Sequence, residues 1–267
     1  MTLRRALLLR RHRVLQIQDH RVGAEADGVK NFMKEETFPA YSSRALFMLA
    51  PALAFIPAML TWAVIPFGSP LPTPWGLIDL VVADLPVGFL FTLAISSVGV
   101  YGIVLAGWSS NSKYSLLGGL RASAQMISYE LSYATALAAV ILLAGSLSLR
   151  DVVDAQQGAW LGFIPRWYVF LQPIGFLIYV IAGVAETNRA PFDFPEAEQE
   201  LVAGYNTEYS SVRFALFPQA EYINMATMSA VATDLYLGGW HGPFLPPEYG
   251  WIWFLAKVGA LLFTYIW

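Results

Sequence analysis

The sequence of 267 residues contains no cysteine and only three histidines, which are scattered at His12, His20 and His241. A chain without thiols cannot form disulfides, ligate an iron–sulfur cluster through cysteine or use a cysteine nucleophile. So few histidines also leave little basis for a haem or a histidine-rich metal site. We therefore expect this chain to bind no metal and no redox cofactor of its own.

Charge is scarce as well, because charged residues make up 13% of the chain, whereas soluble domains have about 25%. The net charge of −3 argues against a nucleic-acid partner, since such binding depends on Lys and Arg contacts with phosphates. Apolar residues are abundant instead: 57% of the chain is hydrophobic and the mean hydropathy is +0.52. This composition predicts a polytopic membrane protein.

Six segments are apolar and long enough to cross a bilayer as helices, which takes about 20 residues each. We therefore expect an all-α fold with six transmembrane helices in this chain. The predicted spans are, in chain order, Ala45–Phe67, Leu85–Trp108, Leu131–Leu149, Trp167–Ala185, Phe214–Trp240 and Trp251–Trp267.

The positions of Lys and Arg predict the orientation, because cytoplasmic connections are enriched in these residues. Of the 16 Lys and Arg residues, nine lie in residues 1–44 and four in the loops 109–130 and 186–213, all on one side, against two in the connections of the other side. The N-terminus and both loops are therefore expected to be cytoplasmic. Residues 1–44 form a basic cytoplasmic or interfacial segment, and residues 45–267 form the transmembrane helical domain.

The loop of residues 186–213 concentrates acids beside the membrane, with six carboxylates against Arg189 and Arg213. Asp193 and Glu196 resemble a capping box, so one interpretation is a solvated inner surface with a short helix. The alternative is a docking and proton-buffering surface, because crowded carboxylates hold some protons near neutral pH. The six acids are Glu186, Asp193, Glu196, Glu198, Glu200 and Glu208.

Glu221, Asp234 and Lys257 lie inside predicted spans, where a charged side chain costs roughly 2.5–3.5 kcal/mol at the bilayer centre. Glu221 is about two turns, or ~10 Å, inside its span, which favours a protonatable functional group over a paired structural carboxylate. Asp234 either has such a role or reaches the headgroups, and Lys257 either snorkels or pairs with an acid of the fifth span. Glu130 is interfacial if its span begins at the next residue and lies inside the membrane if the helix starts earlier.

Two long segments resemble one known family. Ala185–Tyr222, AETNRAPFDFPEAEQELVAGYNTEYSSVRFALFPQAEY, and Gly107–Ser132, GWSSNSKYSLLGGLRASAQMISYELS, closely resemble the membrane-embedded H subunit of proton-pumping NADH:quinone oxidoreductase, the respiratory complex I. Both segments stand in the family's order, and the resemblance covers roughly residues 26–267. It implies a protein that joins the membrane arm to the peripheral arm beside the quinone chamber.

The resemblance also implies roles for matching residues, to which we add the lysine of the sixth span. The proton path would comprise Glu130, Glu208, Glu221 and Lys257. The quinone-junction loop would comprise Glu186, Arg189, Asp193, Glu196, Glu198 and Glu200. The quinone chamber would include Lys113 and Arg121. The carboxylates follow from the residues alone, whereas the quinone follows only from the resemblance.

The same resemblance implies that this chain is not catalytic alone. Quinone would be the substrate, while NAD, flavin and iron–sulfur clusters would reside in partner subunits, namely the peripheral quinone module, alongside the other membrane-arm subunits. We expect a bacterial inner membrane, with the mitochondrial inner membrane as the alternative. Family members have about eight spans, so the chain is expected to be truncated at both ends, with a shortened stretch around Gln18–Gly28 that puts its own quinone binding in doubt.

Three other functions stay open at this point. The homologous membrane subunit of an energy-converting hydrogenase is the nearest alternative, although the wording of ETNRAPFD followed by PEAEQEL favours the quinone enzyme. An independent ion transporter is an alternative of another class, and such transporters often show inverted repeats. No convincing repeat relates the first three spans to the last three. A partial copy that no longer works is the third alternative.

Overall fold

The structure, a computed structural model, describes residues 35, 37–39, 42–74, 76–160, 164–188, 192, 204–242 and 246–266. Helices account for most of these residues. They are α1 (Arg44–Thr61), α2 (Gly88–Ser109), α3 (Lys113–Ala144), α4 (Leu149–Ala155), α5 (Tyr168–Leu171), α6 (Pro173–Glu186), α7 (Ser211–Tyr236) and α8 (Gly250–Ile266). Short 3₁₀ turns cover Gly204–Asn206 and Pro247–Tyr249.

Two small antiparallel ribbons lie in the connections between helices. Strands β1 (Leu71–Thr73) and β2 (Gly76–Ile78) follow α1, with Leu71 opposite Ile78. Strands β3 (Ala159–Trp160) and β4 (Ile164–Pro165) follow α4, with Trp160 opposite Ile164.

Three helices, α1, α2 and α3, are long and apolar enough to cross a membrane. Helices α6 and α8 are apolar but have 14 and 17 residues, fewer than the ~20 of a full crossing. Helix α7 has 26 residues but includes Arg213, Glu221 and Asp234. The all-α, multi-pass membrane fold is thereby confirmed, and the number of six spans stays a prediction.

The third predicted span, Leu131–Leu149, differs most from the structure. Residues 113–130, which the apolar pattern assigns to an inner loop, are the first half of the continuous helix α3. This half is polar on its outer side but buries Ser115, Gly118, Ala122 and Met126, which recur at the helical spacing of three and four. A search for apolar runs misses such a helix because half of its surface is polar. Glu130 therefore lies well inside a helix.

The fourth predicted span, Trp167–Ala185, is divided into α5 and α6 at Gln172. The backbone of Gln172 has φ −131° and ψ 60°, outside the helical region, because the proline ring at position 173 disfavours a helical conformation in the residue before it. Pro173 then begins α6, where its missing N–H costs no hydrogen bond.

Small residues bring the helices that surround the site into backbone contact. A Cβ added to Gly102 would lie 2.6 Å from the amide nitrogen of Ala54, so α1 and α2 touch directly. A Cβ added to Gly118 would lie 2.7 Å from the Cα of Gly204. Close approach of this kind is typical of helix packing in membranes. The second contact seats the Gly204–Asn206 turn against α3 and thereby fixes the position of Tyr205.

Helix α7 packs against two separate groups of buried apolar side chains. Its first half lies among residues that include Phe47, Tyr205 and Phe217. Its second half lies among residues that include Tyr236 and Phe254. The two ends of α7 therefore have different surroundings, and each holds one of the buried acids discussed below.

Candidate functional site

Glu221 lies in the first half of α7 and accepts hydrogen bonds from two side chains. The Tyr205 hydroxyl donates to its Oε1 at 2.9 Å, and the Asn188 amide donates a longer bond to the same oxygen at 3.4 Å. Tyr205 is fully buried because its turn is packed against Gly118. Hydrogen bonds to a carboxylate favour its charged form, so the structure gives Glu221 the partners that a charged carboxylate needs inside a membrane protein.

Glu186, the last residue of α6, is only 5% exposed. Its Oε2 has no hydrogen-bond partner among the described residues. The sequence groups this residue with the cytoplasmic loop of acids, whereas the structure places it in the helix bundle, next to the Asn188 that contacts Glu221. Glu130 is close enough to repel a negative charge on Glu186.

Two cavities adjoin at Glu186. The first, of about 380 Å³, is lined by Glu221, Asn188, Tyr205, Glu186 and Asn224, among others. The second, of about 420 Å³, is also lined by Glu186 and Asn224. Its other polar lining residues carry hydroxyl groups. They are Thr61, Thr92, Ser96, Tyr133, Tyr179 and Thr227.

Glu130 lies beyond the second cavity. The Ser97 hydroxyl donates a hydrogen bond to the Glu130 carboxylate, and Ser97 is a neighbour of Ser96 in that cavity's wall. Tyr133, one turn further along α3, bonds Ser96. Carboxyl and hydroxyl groups therefore follow one another from Glu221 through Glu186 to Glu130. Such a series can pass a proton, since each group both accepts and donates a hydrogen bond when protonated.

Gln125 fixes the C-terminal end of α6. Its side-chain nitrogen donates to the carbonyl oxygen of Ala185 at 2.9 Å, to the carbonyl oxygen of Phe192 at 2.8 Å and to the side-chain oxygen of Asn188 at 3.3 Å. These acceptors lie on both sides of Glu186 in the sequence. Gln125 thus holds in place the segment that carries Glu186 and Asn188.

Tyr209 ties the turn before α7 to α1. Its ring stacks on Phe47 with centroids 4.0 Å apart, and its hydroxyl lies 3.3 Å from both the Ser109 hydroxyl and the Phe47 carbonyl oxygen. Burial raises the pKa of Tyr209 to about 12, so this hydroxyl stays protonated at physiological pH. Tyr209 is therefore a structural contact of the site's wall.

The other predicted site residues lie elsewhere. Glu208 is half-buried in the turn before α7 and does not line either of the two cavities above. Lys113 and Arg121 are exposed on α3. Five residues of the quinone-junction loop fall outside the described residues, so their role stays a prediction. They are Arg189, Asp193, Glu196, Glu198 and Glu200.

Lys257 is not brought together with Glu221. Its ammonium group donates to the carbonyl oxygens of Leu237 at 2.7 Å, Gly239 at 2.8 Å and His241 at 2.6 Å, all beyond the C-terminal end of α7. Glu221 lies in the first half of that helix, and thirteen residues of α7 at a rise of 1.5 Å span about 20 Å. Of the two acids of the fifth span, Asp234 is the nearer one.

In the described ranges, no group of three or more His, Asp or Glu side chains is arranged to hold a metal ion. The ionisable groups that the structure does bring together are carboxylates, hydroxyls and one buried lysine. Their chemistry is the transfer of protons.

Comparison with known proteins assigns this arrangement to a family. A family model described as NADH dehydrogenase matches residues 22–267. The second of two H subunits of NADH-quinone oxidoreductase in Geobacter metallireducens is 53% identical over 255 residues, which cover 91% of this chain and 71% of the relative. This chain belongs to the H-subunit family of NADH-quinone oxidoreductase.

Two further H subunits of NADH-quinone oxidoreductase show how far the likeness extends. The first of those in Geobacter sulfurreducens is 52% identical, with 91% of this chain and 70% of the relative covered. The one in Streptomyces avermitilis is 48% identical, with 91% of this chain and 54% of the relative covered. The resemblance drawn from the two inner segments is thereby confirmed. The names of these relatives also favour the quinone enzyme over the hydrogenase alternative.

Sequence reasoning missed the placement of Glu186 and the role of Gln125. The predicted span Trp167–Ala185 ends one residue before Glu186, so the apolar pattern assigns the residue to the loop. A position directly at the end of an apolar span is the one signal that could have placed it inside the bundle. For Gln125 the sequence has no such signal, because its partners are main-chain oxygens from another helix.

Proposed function

We propose that this chain is the membrane subunit that couples quinone reduction in partner subunits to proton translocation. The proton path runs from Glu208 through Glu221 and Glu186 to Glu130. Lys113 and Arg121, exposed near the inner end of α3, face the quinone chamber. The chain carries out no redox step, and electrons pass from NAD, flavin and iron–sulfur clusters in the partner subunits to quinone.

The observation that carries this proposal is the position of Glu186 in the walls of both cavities. A proton that leaves Glu221 needs an acceptor between that residue and Glu130, and Glu186 is the carboxyl group that both cavities share. The hydroxyl groups of Ser96, Ser97 and Tyr133 lie around the second step. Buried carboxyls flanked by hydroxyls in this way suit general acid–base transfer, in which donor and acceptor must be within hydrogen-bond reach or one water apart.

The partners follow from membership of the complex. They are the other membrane-arm subunits, the peripheral quinone-module subunits and the surrounding lipid. The relatives described above are bacterial, so we place this chain in the bacterial inner membrane.

Replacing Glu221 with Gln tests the proposal. Gln preserves the size and can still accept a hydrogen bond from Tyr205, so the complex should assemble normally. It cannot ionise, so proton translocation and quinone-linked NADH oxidation should both fall at least tenfold in inverted membrane vesicles. Glu221→Asp should retain part of both activities.

Glu248→Gln is the matched control, because Glu248 is an exposed acid in the Pro247–Tyr249 turn and should leave both rates unchanged. If Glu221→Gln pumps protons at the unmodified rate, Glu221 is a structural carboxyl and the proposed path is wrong. Purified chain reconstituted alone should show no ion flux, and a steady flux would favour the independent-transporter alternative.

We also propose that the N-terminus and the start of α3 face the cytoplasm. Because the chain has no cysteine, single cysteines report their side without background. Ser112→Cys, just before α3, should react with an impermeant thiol reagent from the cytoplasmic side only. Val82→Cys, at a position 83% exposed in the connection after β2, should react only from the opposite side. Labelling of both residues from one side would overturn this orientation.

A further inference from the structure

The end of α7 opposite Glu221 holds a second buried acid that the proposed relay does not use. Asp234 is 0% exposed, and neither of its carboxylate oxygens has a hydrogen-bond partner within the described residues. An unpaired carboxylate buried in this way is costly because nothing replaces its hydration. Its retention therefore requires an explanation.

The nearest positive charge is the ammonium group of Lys257 on α8. Lys257 acts electrostatically on Asp234, and both groups lie against Gly239. A Cβ added to Gly239 would lie 2.9 Å from the Oδ1 of Asp234, and the Gly239 carbonyl accepts a bond from Lys257 at 2.8 Å. Gly238 and Gly239 have φ values of 71° and 51°. This left-handed conformation, which glycine adopts readily, turns the connection so that its carbonyls face the lysine.

The lysine is satisfied without the acid. An ammonium group has three donors, and those of Lys257 all bind carbonyl oxygens, from Leu237, Gly239 and His241. The ammonium also lies 4.4 Å from the centre of the Trp167 ring, a favourable cation–π distance. Lys257 is therefore held as a fixed cation, and the carboxyl beside it is the group free to change its charge.

A line of side chains leads from this pair towards the surface. His241, whose carbonyl binds Lys257, places its Nε2 3.6 Å from the Oδ1 of Asp154 on α4. The side chain of His241 is 21% exposed and that of Asp154 is 56% exposed. Burial lowers the pKa of His241, and Asp154 partly opposes this effect, so the imidazole is neutral at physiological pH and can both accept and donate a proton.

We propose that Asp234 is a second proton-binding site, which exchanges protons with the aqueous phase at the end of the molecule opposite Glu221. Lys257 is its fixed counter-charge, and His241 and Asp154 are its connection to water. When Asp234 is ionised the buried pair is neutral, and when it is protonated the pair carries the lysine charge, which the three carbonyls already compensate. In each exchange one proton moves between Asp234 and His241 or water, and no bond to carbon changes.

The site is separate from the proposed relay, so its test needs neither NADH nor quinone. The assembled complex is placed in sealed vesicles, the pH is changed on one side at a time, and the infrared difference spectrum of carboxylic C=O groups is recorded. One aspartic acid band per complex should respond to pH on the side opposite Glu221. Labelling the aspartate side-chain carboxyls of the unmodified complex with ¹³C should shift this band, which identifies it even if a variant fails to assemble.

Asp234→Asn should abolish the band. Asp151→Asn, which removes an exposed acid of the same α4 helix as Asp154, should leave it unchanged. Asp154→Asn should retain the band but slow its response to a pH jump by tenfold or more. A spectrum that Asp234→Asn does not change, a band that aspartate labelling does not shift, or a band that follows only the pH on the Glu221 side would each overturn the proposal.

Discussion

The two ends of helix α7 each bury an acid but treat it in opposite ways. At the Glu221 end, neighbouring side chains donate hydrogen bonds to the acid, and cavities lined with hydroxyl groups open beside it. At the Asp234 end, the polar groups of the connection accept bonds from the lysine, and the acid is enclosed against Gly239 and Val153. One end has the space and partners for a relay, and the other has a fixed charge pair with a single exchangeable group.

The difference shows that burial alone does not define a role. Glu186 and Asp234 are both buried acids with unsatisfied oxygens, yet only Glu186 lies between other carboxyls. What distinguishes a relay from an isolated site is the next ionisable group and the space that leads to it.

Removing the lysine should have the largest effect and should separate the two ends most clearly. Lys257→Met leaves three carbonyls without their donor and Asp234 without its counter-charge, which we expect to lower the free energy of unfolding by about 3 kcal/mol or more. The apparent Tm and the yield of assembled complex should fall together. Lys113→Met, an exposed lysine of α3, should leave the apparent Tm unchanged.

Adding Asp234→Asn to Lys257→Met should recover part of the lost stability, because the uncompensated buried charge is then gone. Equal stability of the single and double variants would show that the carbonyl bonds, and not the charge pair, determine the effect. A Lys257→Met complex as stable as the unmodified one would contradict the proposed arrangement altogether.

Gln125→Leu should have an intermediate effect at the other end. Leaving buried acceptors without a donor costs about 1–3 kcal/mol, and here the cost falls on the segment from Ala185 to Phe192. Amide hydrogen exchange at the end of α6 should become faster, and pumping should fall because Glu186 is no longer held in place. Gln157→Leu, at an exposed position, is the control, and identical exchange rates in both variants would show that Gln125 does not position the segment.

The helices of the second half of the chain could be predicted well from the sequence. The predicted spans Phe214–Trp240 and Trp251–Trp267 correspond closely to α7 and α8, because long apolar segments and the Gly238–Gly239 turn mark their limits. The first half of α3 could not, since its apolar face is made of small residues that do not raise the hydropathy. The same limit left the position of Glu130 undecided.

The site was predicted as residues and not as an arrangement. The cost of burying charge identified Glu221, Asp234 and Lys257 as unusual, and that reasoning needs only the sequence. Their partners depend on which helices meet, and a hydrophobic pattern carries no information on that point. Lys257 shows this most clearly, because its acceptors are backbone carbonyls whose direction is set by two glycines with positive φ.

The central claim is that Glu186 connects Glu221 to Glu130, and Glu186→Gln in the assembled complex tests it most directly. The measurement is the number of protons translocated per NADH oxidised, together with the rate of quinone reduction. We expect normal assembly, loss of proton translocation and at least a tenfold slower turnover, since Gln fills the same space but cannot carry the proton across the junction of the two cavities. A Glu186→Gln complex that pumps with the unmodified stoichiometry and rate would contradict the account.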